Sequence, residues 1–585
     1  MFAETDWSLL ITNTNHQHKK IEEEKEMKKF IVLGLIGLLI MVFSAAAYAQ
    51  DKLEFRASGA FEAVSFLYRN ISSGAGPWAA GGTTGIPDGM ITTRWGGGGS
   101  NVPAGGPGQG FRPRDPFTNN LDSGAWNRTN SYMEYRGNLK FDAIMGKSLS
   151  GTVMFEMDSS RWGEGAGDRG AAGFWTADRA AVEIKSLYLD FGIPYIGIPV
   201  PMTVRVGIQP LGVRPHIFMI SDGAGVTGGI KIDPVMIGLM WAKPVEGRDA
   251  TADDANVYGL NVNAKLGTLT PGFFVNYWNM NSYPFNLATV DAEWKGKYGF
   301  TPPYSADFWW LGAYLDGKLG PVDINFDFVY DRGTIIVRDN AKATAKKVTG
   351  FNWDPAMNNK VKYRGFATQL KINFPWEKFN FGTTGMYTSG ADQRKTGRLG
   401  VPGEEVADNV AGYSKKVGSY VVPPGSENFA AWGESLFLGS NYITGTAYPL
   451  GMFPSLGAYP LGVNRGAIGG TWVAKLYASM NATPWYKVTL QGLYIGDTTK
   501  HGNTLGDAWK GTNWANARLR DDKDIGFELD LMQDIQIYKN LKWSIGAGIL
   551  FAGDALDQAV DAAKEPRNKS PKDPWILATK LRYDF

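Results

Sequence analysis

The sequence predicts an all-β protein, a transmembrane antiparallel up-and-down β-barrel of about 18 strands. Three observations predict it: an export signal near the N-terminus, period-2 alternation of apolar and polar residues along most of the chain, and an aromatic terminal strand. Sixteen strands is the alternative, because segments 182–189 and 226–241 alternate least clearly. A soluble β-sandwich would need loops of roughly 60 to 80 residues, which are uncommon in compact folds.

The export signal lies at 27–49. A basic start at 27–29 precedes an unbroken apolar run at 30–43, and 44–49 ends in an Ala-x-Ala pattern. This order is that of a secretory signal peptide. The apolar run is shorter than the roughly 18 residues that a membrane-spanning helix needs. We therefore expect cleavage before Gln50.

Residues 1–26 fit no targeting signal. They end in the run Glu22-Glu23-Glu24-Lys25-Glu26, directly before Met27. Glu and Lys codons are purine-rich, as are ribosome-binding sites, so we expect a mis-called start and translation from Met27. The alternative is a genuine disordered extension.

The terminal strand alternates up to the last residue. One face carries Trp575, Leu577, Thr579, Leu581, Tyr583 and Phe585, and the other carries Lys580, Arg582 and Asp584. The strand resembles the closing strand of bacterial outer-membrane barrels, in which the final aromatic residue belongs to the assembly signal. The resemblance implies a bacterial outer-membrane location and recognition by the barrel-assembly machinery.

Composition narrows the function classes. The formal net charge is +2 with no sustained basic tract, which argues against nucleic acid as a partner. There is no cysteine, so the chain offers no thiolate metal site and no haem-attachment motif, and we expect no cofactor. After residue 50 no segment is apolar enough for a membrane helix, and a closed barrel is the other structure that pairs every backbone group in lipid.

The strands follow in order from Leu53, where Leu53, Phe55 and Ala57 alternate with Glu54 and Arg56. Short connections are predicted at turn-forming residues near 146–147, 233–234, 267–268, 319–321, 375–377, 483–484 and 538–540. Long loops are predicted at 70–130, 159–178, 281–306, 333–360, 390–470, 498–522 and 553–574. We expect residues 50–585 to form the barrel, with the long loops extracellular.

The alternation predicts an apolar face toward outer-membrane lipid and a charged face toward a wet interior. The expected pore-lining residues are Arg56, Arg136, Lys140, Glu156, Asp158, Arg205, Asp323, Asp327, Lys371, Glu528, Asp530 and Arg582. Trp278, Trp309, Trp376, Trp485 and Trp575, near strand ends, are expected at the membrane interfaces. Loop 390–470 is long and aromatic enough to fold back into the barrel and narrow it.

These features predict a porin, a channel through which small polar or ionic solutes diffuse. Enzyme activity is not expected, because residues 50–585 contain only His216 and His501, with no partner identifiable from spacing. The strand 204–209 and the hairpin 524–554 resemble those of alginate-export-type porins, which implies an 18-stranded barrel. The mixed charges of the interior depart from that family's arginine-rich pore.

Two other functions stay open. A porin that exports an anionic polymer would need arginines clustered at one constriction. A barrel could also sheathe a multihaem cytochrome as the scaffold of an electron conduit, with the haem carried by a periplasmic partner protein.

We predict that the protein extracted from membranes starts at Gln50 and that residues before Met27 are dispensable. N-terminal sequencing checks the cleavage site, and a chain started at Met27 should reach the membrane in the same amount. A mature protein that retains residues 30–43 would contradict the assignment.

Overall fold

The structure is a computed structural model. It describes residues 52–69, 129–162, 182–193, 200–215, 217–246, 254–281, 304–337, 360–392, 416–423, 434–435, 439–440, 469–503, 508–511, 518–560, 567–570 and 572–585. The expected signal peptide and the segment before it lie outside these residues. No helix within the described residues is long and apolar enough to cross a membrane.

The described strands form one closed wall. The main sheet has twenty strands within the described residues. Two of them, Lys360–Tyr363 and Lys416–Val417, are short additions at one edge, and the other eighteen form the wall. They are β1 (Leu53–Arg69), β2 (Thr129–Met145), β3 (Leu149–Arg161), β4 (Glu183–Gly192), β5 (Met202–Val213), β6 (Met219–Ile232), β7 (Val235–Val245), β8 (Ala255–Ala264), β9 (Leu269–Met280), β10 (Tyr304–Leu319), β11 (Val322–Val337), β12 (Phe366–Trp376), β13 (Phe379–Thr388), β14 (Thr471–Thr483), β15 (Tyr486–Asp497), β16 (Asp524–Tyr538), β17 (Leu541–Ala552) and β18 (Trp575–Asp584).

Each wall strand pairs antiparallel with its sequence neighbours, and β1 pairs with β18. The predicted all-β barrel of 18 strands is therefore confirmed, and the segments that left sixteen open are strands: β4 covers most of 182–189, and β6 and β7 cover 226–241.

Short and long connections leave opposite edges of the wall. Both chain ends of the barrel lie at the edge with the short turns, since Leu53 pairs with Met145 and the Asp584 N–H donates to the Asn540 carbonyl at 2.9 Å. The long connections leave the other edge, called here the loop edge. Connection 214–218, between β5 and β6, also lies at the loop edge but has only five residues.

Several predicted loop bounds need correction. The predicted loop 333–360 begins too early, because β11 continues to Val337. Loop 281–306 ends too late, since β10 begins at Tyr304, and β3 runs three residues into loop 159–178. The cause is common to all three: the alternation of a strand continues beyond the first glycine or polar residue, so composition alone ends it early.

The outer face of the wall is apolar and exposed. On β16, Phe527, Leu529 and Leu531 are each about two-fifths exposed, while the intervening Glu528 and Asp530 are buried. Trp309, Trp376 and Trp485 lie on the exposed face near strand ends, as the sequence predicted. Trp278 does not: it is 4% exposed and points inward, because it packs edge-on against the inward Trp310.

The C-terminal Phe585 completes the junction of the two end strands. Its N–H donates to the Gly59 carbonyl at 3.0 Å, and the Gly59 N–H donates back at 2.9 Å. Its ring stacks on Phe61 of β1 at 5.4 Å and on Tyr583 at 5.7 Å. Gly59 must lack a side chain here, because a Cβ would lie 2.7 Å from the Phe585 ring and 2.3 Å from the Asn138 carbonyl oxygen.

We predict that Phe585→Ala lowers the yield of folded barrel severalfold, because it removes the ring that joins β18 to β1. Phe585→Tyr keeps the ring and is the matched control. Heat-modifiable migration on gels measures the folded fraction. Equal amounts of folded Phe585→Ala and wild-type protein would show that this contact is dispensable.

Candidate functional site

Segment 416–423, part of the predicted loop 390–470, enters the barrel from the loop edge. Lys416–Val417 pairs in parallel with Lys362–Tyr363 at the loop edge, and the chain then runs inward with Tyr420, Val421 and Val422 each at most 3% exposed. Gly365 permits the approach, because a Cβ there would lie 2.5 Å from backbone atoms of residues 419 and 420. The predicted fold-back of this loop is therefore observed for its described part.

A buried carboxylate fixes the segment to the wall. Asp331 of β11 is fully buried, and its two oxygens accept the N–H groups of Gly365 at 2.7 Å and Val421 at 2.9 Å. On the neighbouring strand β10, the Trp310 indole N–H donates to the Val421 carbonyl at 2.8 Å. Each hydrogen bond to a buried charge contributes about 1.5–3 kcal/mol, so these contacts hold the segment in place.

The described residues of connection 214–218 also fold into the lumen. Arg214 donates to both carboxylate oxygens of Asp316 on β10, at 2.6 and 3.0 Å, and to Asp327 on β11, at 2.9 Å for Nη2. Its guanidinium lies over the Tyr314 ring at 4.3 Å. Because β5 and β10 are five strands apart, this pairing shows that the connection reaches the inner face of β10 and β11. The Asp327 side chain is 4% exposed, and removing one partner of such a buried ion pair costs about 3–5 kcal/mol.

The two inward segments meet each other. The Tyr420 hydroxyl donates to the Ile217 carbonyl at 2.8 Å, and both residues are fully buried. Burial raises the pKa of the Tyr420 phenol well above its ordinary value, and the charges of Asp331 and Asp327 raise it further. The phenol therefore remains a hydrogen-bond donor at any physiological pH.

An apolar cluster fills the space between these segments and the wall. Phe218 stacks on Phe274 at 5.0 Å and lies against Trp310 at 5.7 Å, while Phe308 stacks on Trp310 at 5.0 Å. All four rings are nearly inaccessible. This side of the lumen is therefore lined by aromatic as well as charged residues, because the inward-folded segments give inward aromatic residues a partner.

The opposite side carries paired charges. β1 is nine strands from β10 in either direction, and on its inner face Glu62 lies between Arg582 of β18 and Arg136 of β2. Arg582 forms an ion pair with Glu62. Arg136 donates to Glu156 of β3 at 2.7 Å, and Lys185 contacts the same, almost fully buried carboxylate at 2.5 Å.

Other predicted pore-lining residues form separate pairs. Arg205 donates to Asp190 at 2.7 and 2.9 Å, and Lys140 contacts Asp142 at 3.0 Å. Near the short-turn edge, Arg56 contacts Glu54 at 2.7 Å and Asp323 contacts Lys318 at 3.1 Å. The strand register places these pairs on the inner face of the wall, each in a separate stretch of it.

The other predicted pore-lining residues have different surroundings. Lys371 lies opposite Asn325 in register on the lumen face. Glu528 and Asp530 are fully buried rather than open to a lumen, and the Gln491 amide donates to Asp530 at 2.8 Å. The side chain of Asp158 lies outside the described residues.

Sequence reasoning missed the most connected polar residues, namely Arg214, Asp316 and Asp331. Arg214 lies in a five-residue connection, and its partners are more than 100 positions away along the chain. The positive φ of 47° at Arg214 shows a specialised turn, but sequence alone does not reveal it. Likewise, the His501 ring has a partner, Asp392 at 2.7 Å, 109 positions away; His216 lies outside the described residues.

Comparison with known proteins does not assign the chain to a family. No family model matches the chain, and no curated protein matches it. Solved structures that resemble it include Pseudomonas aeruginosa OccK8 (OprE), with 8% identity, TM-score 0.42, and 91% of this chain and 98% of that chain covered. P. aeruginosa OpdQ has 9% identity with the same TM-score and coverage. P. aeruginosa OpdK, solved with vanillate, has 7% identity, TM-score 0.41, and 90% and 98% coverage.

At these identities and TM-scores the likeness carries no functional argument. The barrel is established by the strand pairing of the chain itself, which closes between β1 and β18.

We predict that Asp331→Asn releases segment 416–423 from the wall. The substituted amide has one acceptor oxygen, and its NH₂ group opposes a backbone N–H, so at least one of the two hydrogen bonds is lost. Hydrogen exchange of residues 416–423 in the detergent-solubilised barrel should accelerate about tenfold or more. Asp323→Asn, on the same strand and face, is the control. Unchanged protection in Asp331→Asn would contradict this anchoring role.

Proposed function

We propose that the chain is a bacterial outer-membrane channel for small polar or ionic solutes, narrowed by segments 214–218 and 416–423. The observation that carries the proposal is a closed wall of eighteen strands that is apolar outside and charged inside. A continuous exposed apolar face would be unstable in water, whereas it is what a membrane barrel needs.

Two further features support a membrane barrel. The described strand count is even, and both ends of the wall lie at the short-turn edge, which is the arrangement of bacterial outer-membrane barrels. An N-terminal signal peptide at 27–49 would deliver the chain to the periplasm. Phe585, seated against β1, fits recognition of the C-terminal strand by the assembly machinery.

The width of the wall supports a water-filled path. Barrels of 16 to 18 strands are too wide for side chains from the wall alone to fill. Toward the short-turn edge, the lumen-facing side chains of Arg56 and Lys318 are 61% and 60% exposed. Water therefore reaches the inner face there, while segments 214–218 and 416–423 narrow the path beside β9 to β12.

The charge arrangement favours small solutes over a polyanion. Among the described residues whose side chains hold these two segments to the wall, three are acidic, Asp316, Asp327 and Asp331, and the basic one is Arg214. Export of an anionic polymer would need arginines clustered at that point. Membership of the alginate-export-type porins, which the hairpin 524–554 resembles, remains a hypothesis that this constriction does not favour.

A cytochrome scaffold is also disfavoured by the interior. Segments 214–218 and 416–423 occupy part of the lumen with a packed apolar cluster. A haem protein inside the barrel would have to displace them and break the contacts to Asp331 and Asp327.

We predict that the purified protein conducts ions in a planar bilayer without cofactor or energy source. Arg205→Glu should shift ion selectivity toward cations, because fields in a narrow pore are poorly screened, and Arg205→Gln should shift it less. Lys510→Glu, at an exposed loop residue, is the control and should leave selectivity unchanged. Reversal potentials across a salt gradient measure the shift.

Arg205 is a better choice than Arg136 for this test. Arg136 contacts the almost fully buried Glu156, and a second carboxylate there would disturb folding as well as selectivity. A correctly folded wild-type barrel that never conducts would overturn the channel proposal.

A further inference from the structure

A basic patch lies on the outer face of the wall at the loop edge. In the stretch that leads into β12, Lys360, Lys362 and Arg364 alternate with Val361 and Tyr363. Val361 and Tyr363 are almost fully buried and face the lumen, where the Tyr363 ring contacts Phe308. The three cations therefore face outward, and Lys362 and Arg364 are exposed.

A fourth cation, Arg332 of β11, joins the patch. Tyr330 pairs with Phe366 and Gly333 pairs with Tyr363, which places Arg332 directly opposite Arg364 on the same face. On its other side Arg332 lies opposite the outward Trp309. Like charges placed directly opposite on neighbouring strands destabilise a sheet, so an anion bound between the two would stabilise this pair.

Within the described residues the chain does not provide that anion. Arg332, Lys362 and Arg364 form no ion pair there. The nearby outward carboxylate, Asp307 on β10, accepts hydrogen bonds from the Tyr277 hydroxyl at 3.0 Å and the Asn279 amide at 2.9 Å. No described carboxylate therefore forms an ion pair with these cations, which leaves them available to an anion from outside the chain.

The position of the patch indicates where that anion is. Trp309 and Tyr277 stack at 4.4 Å on the outer face, and Phe366 stacks on Phe328 and on Tyr387. Such exposed aromatic residues near strand ends mark the membrane interface. Arg332 and Arg364 lie two residues beyond Tyr330 and Phe366 toward the loop edge, about 7 Å farther along the strands. That is the level of lipid headgroups.

We propose that this patch binds the phosphate groups of the glycolipid in the outer leaflet, the lipopolysaccharide. The proposal rests on the proposed outer-membrane location, in which the loop edge faces the outside of the cell. Arginine binds phosphate oxygens bidentately, and lysine adds a point charge. From Lys360 to Arg364 the cations extend over about 13 Å, which suits a headgroup with two separated phosphates better than one with a single phosphate.

The test uses the full-length mature barrel in detergent and native mass spectrometry with bisphosphorylated lipid A, dephosphorylated lipid A and phosphatidylglycerol. Wild type should bind bisphosphorylated lipid A more tightly than either other lipid. Arg332→Gln/Lys362→Gln/Arg364→Gln should weaken that binding about tenfold or more. Lys147→Gln/Lys265→Gln/Lys539→Gln removes the same charge at the short-turn edge and should not.

Three outcomes would overturn the proposal: equal affinity in the patch variant and wild type, equal affinity for dephosphorylated lipid A, or equal affinity for phosphatidylglycerol. Heat-modifiable migration confirms that each variant is folded. Conductance, recorded on the same preparations in phosphatidylcholine, separates this proposal from the channel. If the patch variant loses lipid A binding but conducts normally, the patch is the binding site and the channel is unaffected. If the wild-type protein binds lipid A but does not conduct, the channel proposal is wrong.

Discussion

Closure of the wall between β1 and β18 is the constraint on which the rest of the structure depends. Lipid offers no hydrogen-bonding partner to the backbone, so a sheet that spans it must have no free edge. The ten register pairs from Ala60 with Asp584 to Arg69 with Trp575 remove that edge. On the lumen side, the ion pair of Arg582 with Glu62 crosses the same junction, and on the outer side the Phe585 ring covers it.

Closure then requires that the enclosed space be filled by water or by other parts of the chain, because a wall of eighteen strands encloses more space than its own side chains fill. The chain meets it on one side with two loop segments. Asp331 holds segment 416–423 through backbone N–H groups, and Asp316 and Asp327 hold Arg214. These carboxylates are costly to bury alone. Their hydrogen bonds make the inward position of each segment specific.

The wall could be predicted from the sequence because the patterns that mark strands and turns involve residues close together in the chain. Period-2 alternation marks strands such as β11 and β16, and turn residues mark connections such as 320–321 and 539–540. The inner face is harder to predict, because the same alternation that points Asp327 inward also points Trp278 and Phe274 inward. Whether such a position meets water or a buried loop depends on residues far away in sequence. Arg214, 113 positions from Asp327, illustrates this.

The polar contacts also differ in whether a local sequence pattern predicts them. Arg205 and Asp190 are opposite in register, so the strand pairing alone brings them together. The contact of Tyr420 with Ile217 joins two loops 203 positions apart, and no local pattern encodes it.

The proposed channel is a water-filled barrel that segment 416–423 narrows. The most direct test is single-channel conductance after residues 416–423 are replaced by a Gly-Ser linker of equal length, with the same replacement at 508–511 as the control. We expect a folded barrel with higher conductance than wild type and no change in the control. A folded barrel whose conductance stays at or below that of wild type would contradict it.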